Sequence, residues 1–212
     1  MRPYSDLILA LVVLTDFIVL GSSRLSACIR AIAIQGVLLG ILALLLPEHA
    51  SVHIVVLAVG TTVIKAGVLP WFLRWAIREA AVRREVDPLI GYVPSLVLGA
   101  GALAMGFAVA SVLPARPVGS ELLVPVALVT VMIGLMVLIT RTKALLQVVG
   151  YLMLENGIFL FGLTQAERAP FLVEVGVLLD VFVGVFIMGI VVFHINREFD
   201  STSSARLTEL RD

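Results

Sequence analysis

The chain has 212 residues, 60% of them hydrophobic and 14% charged, with 15 basic and 15 acidic side chains cancelling to zero net charge. Soluble domains hold roughly 45 to 50% apolar residues, so this composition and a mean hydropathy of +1.12 exclude a soluble globular protein, and the charge balance gives no basis for a nucleic-acid partner. Cys28 is the only cysteine, which excludes internal disulfides, iron–sulfur ligation and a four-cysteine zinc site.

The expected fold is all-α. A bilayer core roughly 30 Å thick needs about 20 apolar residues per crossing helix. Seven windows meet that length, at about 4–21, 25–46, 52–73, 90–113, 121–140, 144–163 and 171–194. The first opens as MRPYSDLILA with no small-residue cleavage pattern after it, so it reads as a retained helix, and it carries Asp16. The second holds Arg30 and ends at Pro47. Lys65 lies in the third, within TTVIKAGVLPWF, five residues before Pro70, which frees a backbone carbonyl and is expected to bend the helix there. The fourth stops at PARPVGS, 114–120, and the fifth has no charged residue after Glu121. The sixth contains Glu155 followed by Asn156 and Gly157, and the seventh contains Glu174 and Asp180. Chain organisation follows as a single membrane domain, with four helices in 1–113 and three helices plus a short tail in 121–212.

Loop charges give an orientation. With the amino terminus outside, the outer side carries Arg2, Arg116 and Arg168, and the inner side carries Arg24, Arg74, Arg78, Arg83, Arg84, Arg141, Lys143, Arg197, Arg206 and Arg211. Ten against three is a strong positive-inside bias, so the carboxyl terminus is expected in the cytoplasm. Glu155 then lies roughly 16 Å into the sixth helix and Asp180 roughly 14 Å into the seventh, at about 1.5 Å per residue. Both fall near the midplane, with Lys65 in the inner half of the third helix. Asp16 and Arg30 are expected near the inner ends of the first two helices, as a structural pair. A weak repeat at an offset of about 120 residues sets Gln35-Gly36 over Glu155-Asn156, the arrangement of a parallel-repeat transport protein.

Charged groups at this depth cost roughly 2.5 to 3.5 kcal/mol each on the insertion scale and are functional candidates by default. Poor hydration penalises the charged form of such groups, so they become able to exchange protons. Glu155, Asp180 and Lys65 can form a lateral relay, with Asn156 holding water and Gly157 allowing close helix approach. Equally, Lys65 can form an ion pair with either acid that fixes packing and moves no proton. Glu174, near the outer end of its helix, reads as a hydrated terminal residue. His49 and His53 stand four apart with no third ligand in view, so no metal is expected. No phosphate-cradling loop, nucleophile elbow or zincin motif is present, and no catalytic residue is expected.

The runs GYLMLENG and VEVGVLLDVFVGVFIMGIVV, followed by a charged tail ending LTELRD, resemble the carboxyl-terminal part of hydrogenase-4 component E, the small membrane subunit of formate hydrogenlyase-type group 4 nickel–iron hydrogenases. VIKAGVLPWFLRWAIRE resembles that family's lysine-and-proline helix, and SSRLSACIRAIAIQ its second helix, so the likeness spans nearly the whole chain. The last three windows are also similar to the K subunit of respiratory complex I and the C subunit of Mrp-type antiporters. The K-subunit pattern of an acid followed four residues later by glycine is matched by Asp180 and Gly184. That subunit's other acid stands four residues before an Asn-Ala pair, whereas here Glu155 directly precedes Asn156, a displacement of nearly one turn. The resemblance implies a cofactor-free, non-catalytic subunit of a hetero-oligomer in the cell inner (plasma) membrane. Its partners would be large antiporter-like membrane subunits and the membrane anchor of a hydrogenase module, with lipids around it. Its buried acids would continue a path of charged residues that couples electron transfer to proton movement.

Overall fold

A computed structural model describes residues 2–46, 52–79, 89–113 and 120–164, together with 182, 184–186, 188 and 189. Seven α-helical elements occur among the described residues: α1 (Arg2–Gly21), α2 (Leu25–Leu45), α3 (Val52–Thr62), α4 (Leu69–Glu79), α5 (Tyr92–Val112), α6 (Leu123–Thr140) and α7 (Ala144–Thr164). Between α3 and α4 runs a π-helical segment, Val63–Val68. Five of these helices, α1, α2, α5, α6 and α7, are each long and apolar enough to cross a membrane. The chain is a multi-pass membrane protein.

The first six apolar windows coincide closely with helices, because in lipid every backbone polar group must be satisfied within its own segment and a helix does this wherever the apolar run allows; the seventh, 171–194, lies largely outside the described residues. The third run differs. It continues to Glu79, past the apolar window, because PWFLRWAIRE is amphipathic: Leu69, Leu73 and Ala76 are buried while Trp71, Arg74 and Arg78 face outward. Pro70 leaves the carbonyl four residues before it without its α-helical donor. The disturbance takes the form of a π turn, in which the Leu69 amide donates to the Ile64 carbonyl, five residues back.

Glycines set the distances between helices. α6 and α7 form an antiparallel hairpin, and a Cβ added at Gly134 or Gly150 would collide with backbone of the facing helix, at Leu154 and Leu138 respectively. Gly157 lies in the same way against Val131. On α2, Gly36 and Gly40 bring the helix onto the π segment and the end of α3; a Cβ at Gly36 would sit 3.0 Å from Lys65 Cβ. Small residues at such spacing allow the close backbone approach that drives helix association in lipid. α7 is the most buried of the five membrane-length helices and α5 the least.

Two apolar clusters build the interior. One gathers Ile8, Leu9 and Val12 with Leu39, Leu42, Ala58, Leu123, Val126 and Leu160. The other gathers Val19 and Leu20 with Leu25, Ile29, Leu73, Ile133, Val137, Leu146 and Val149. Along α1, α2, α7 and the run from α3 to α4, the chain passes from one cluster to the other through buried polar residues: Thr15 and Asp16, Gln35, Glu155 and Asn156, and Lys65. Thr130 of α6 lies at the same crossing. The result is a polar layer held between two apolar ones.

Candidate polar relay within the membrane core

Lys65 projects from the π segment and Glu155 from the middle of α7. Lys65 Nζ donates to Glu155 Oε1 at 2.6 Å, and the two residues are 3% and 1% exposed. The lysine ammonium also lies 5.8 Å from the centroid of the Phe159 ring, one turn along α7 from the glutamate. Gly36 makes this geometry accessible by letting α2 pass directly beside the Lys65 backbone.

The next residue on α7 reaches a different helix. Neighbouring positions on an α-helix point about 100° apart, so while Glu155 meets Lys65, Asn156 turns to α2 and its Nδ2 donates to Gln35 Oε1 at 2.9 Å. Gln35 Nε2 donates to Asp16 Oδ1 at 2.7 Å and to Thr15 Oγ1 at 3.2 Å. Thr130 Oγ1 of α6 donates to Asp16 Oδ2 at 2.8 Å. Asp16 is fully buried. Four helices, α1, α2, α6 and α7, thus meet in one hydrogen-bonded set that runs from the Asp16 carboxylate to Asn156, the chain neighbour of Glu155 in the charge pair.

The sequence leaves Lys65 free to pair with either acid, and the structure brings it into contact with Glu155, with Asn156 next along α7. Asp16 and Arg30 do not meet. Arg30 and Gln35 lie about 140° apart around α2 at about 100° per residue; Gln35 faces the interior and takes the carboxylate, and Arg30 stands exposed. Gln35 and Thr130 were not singled out as site residues from the sequence. A glutamine in the centre of an apolar run was the available signal. Asp180 and Glu174 lie outside the described residues.

Chemically, the 2.6 Å contact is a short charge-assisted hydrogen bond between an ammonium and a carboxylate. Among the described residues no group of three or more His, Cys, Asp or Glu is placed to hold a metal.

These features define a multi-pass helical membrane protein with a charge pair buried at mid-depth. The chain is 35% identical over 204 residues to Uncharacterized protein Rv0085 of Mycobacterium tuberculosis, covering 94% of this chain and 92% of that one, and it belongs to the same family. It is also 28% identical over 176 residues, 82% of each chain, to Hydrogenase-4 component E of Escherichia coli K12 and to its counterpart in Shigella flexneri. No family model matches the chain, and no solved structure matches it.

Proposed function

We propose that this chain is a non-catalytic membrane subunit of a hydrogenase-4-like energy-converting complex, and that Lys65 and Glu155, together with Asp180, form part of a lateral proton path. The observation that carries this reading is the buried Lys65–Glu155 pair at 2.6 Å, set in a polar layer between two apolar clusters. A purely structural spacer needs no ionised groups at that depth, where each is expensive. Similarity to Hydrogenase-4 component E over 82% of the chain supports the type of complex. Support for including Asp180 comes from the sequence pattern of an acid followed four residues later by Gly184, which resembles the K subunit of respiratory complex I.

In this reading the subunit sits in the cell inner membrane with its amino terminus outside and its carboxyl terminus in the cytoplasm, following the loop charges, and crosses the bilayer seven times. It lies between large antiporter-like subunits and the anchor of a hydrogenase-type module. Electron transfer occurs in the partners; this chain contributes charged groups and no redox centre.

The test is Glu155→Gln in the assembled complex, with proton movement followed in inverted membrane vesicles alongside electron transfer. We expect proton movement per electron to fall at least tenfold while the complex still assembles. Unchanged proton movement would refute the relay and leave subunit membership standing. A packing role is the second reading, favoured by the fact that Lys65 and Glu155 satisfy one another. It predicts the opposite outcome: less assembled complex, with normal coupling in what remains.

A further inference from the structure

The hydrogen-bonded set beyond the charge pair has a direction. An ionised carboxylate can only accept, so Asp16 obliges Gln35 to turn its NH2 end toward it; the Gln35 oxygen then faces α7, and Asn156 must donate. Thr130 likewise must donate to the second carboxylate oxygen. Every donor to Asp16 is neutral. Among the elements packed against α1, the titratable residues of α2 are Arg30, exposed, and Cys28, whose thiol lies toward the Val19 and Ser22 carbonyls. α5 offers only Tyr92, which lies under Arg141 at the end of the bundle, and α6 offers none. On α1 itself, Asp6 accepts from Ser120 at the opposite end. A carboxyl so placed has a neutral form that costs far less to bury than its ionised form.

We propose that Asp16 is a second proton-binding carboxyl of this core, and that Gln35 and Asn156 transmit its protonation state to the Lys65–Glu155 pair by turning over their amides. The chemistry is one acid–base step: a solvent proton adds to Oδ1 of Asp16, and no other covalent bond forms or breaks. The new O–H requires an acceptor, and Gln35 meets it by rotating its amide half a turn to present Oε1. Terminal amide torsions are broad and roughly two-fold, so the side chain keeps its place and exchanges only its oxygen and nitrogen. Its NH2 group now faces Asn156, which turns over in its turn to accept. Two amide dipoles have reversed, the second on the residue next to Glu155, and the field at the charge pair changes with them. The use of this device in proton transport rests on the reading above; proton binding at Asp16 does not.

Infrared difference spectra of the full chain in lipid vesicles, taken across a pH series with carboxyl-labelled aspartate, test this directly. We expect a protonated-aspartate C=O band that is lost in Asp16→Asn and shifts in frequency in the near-isosteric Thr130→Val. Its titration midpoint should move in Glu155→Gln, and Gln35→Leu should abolish most of that movement. Should Asp16→Asn fail to fold, the label and Thr130→Val identify the band in an otherwise native chain. No aspartate band sensitive to Thr130→Val at any pH overturns proton binding at Asp16. A midpoint shift that survives Gln35→Leu undiminished overturns transmission through the amides. Because the readout is spectroscopic, either failure is distinguishable from a failure of the proton path, which the vesicle measurement reports.

Discussion

Lys65 and Glu155 bury two charges in one contact, and that contact makes each the condition for tolerating the other. Removing one partner of a buried pair leaves an uncompensated charge and costs about 3 to 5 kcal/mol, whereas replacing both with apolar residues of similar volume is close to neutral. Lys65→Met and Glu155→Met should each therefore lower stability by about that amount, and the double variant should recover to within about 1 kcal/mol of the parent. Thermal unfolding of the four proteins in detergent micelles measures the cycle, and additive losses would mean that the pair is not coupled. These two residues were legible in the sequence because a full charge in an apolar window stands out. Gln35 and Thr130 were not, since a single uncharged polar side chain is common in membrane helices and only packing reveals which one meets a partner. The partner of Asp16 was misread for a related reason. Charge alone suggested Arg30, but Gln35 stands about 7.5 Å further along α2 at about 1.5 Å per residue, and it is Gln35 that has both the depth and the face to meet the carboxylate.

Glycine has two different meanings in these helices, and the structure separates them. Gly134 and Gly150 lie against facing backbone, while Gly60 and Gly101 have nothing within 4 Å of an added Cβ. The two classes should respond oppositely to alanine. Gly60→Ala and Gly101→Ala gain up to about 1 kcal/mol from helix propensity. Gly134→Ala and Gly150→Ala force α6 and α7 apart and cost about 1 to 3 kcal/mol as overpacking. Melting temperatures of the four single variants decide the matter; equal effects at all four would contradict the packed hairpin. The positions of the first six helical runs were legible from the lengths of apolar runs, because membrane helices need little else. The π turn was not legible, since Pro70 suggested only a bend: whether a freed carbonyl produces a kink or a wider turn depends on the neighbour, and here Gly36 leaves room beside the segment.

At the scale of the whole molecule, one buried cation closes the end of the bundle near the α6–α7 turn. Arg141, 1% exposed, donates from Nη2 to the Leu20 carbonyl at 2.7 Å and lies 4.9 Å from the Tyr92 ring centroid. Its own carbonyl accepts from Gln147, and the neighbouring Thr140 carbonyl accepts from the Leu89 amide. The end of α1, the approach to α5, and the α6–α7 hairpin are thereby tied at one point. A lysine keeps the charge there but lacks the planar fork and the stacking face. Arg141→Lys should cost about 2 kcal/mol and expose the Gly21–Arg24 turn to protease, as limited digestion would register; unchanged digestion would mean that the tie is unimportant. The polar layer at mid-depth carries a different kind of consequence, an electrical one. A full crossing of the membrane potential changes the energy of one elementary charge by about 2.3 kcal/mol per 100 mV. A charge displaced sideways within a plane parallel to the bilayer crosses none of that drop. On the proposed proton path, work against the potential would therefore fall only where a charge enters or leaves the layer, and voltage could hold a proton out of the core yet would not bias its lateral movement once inside.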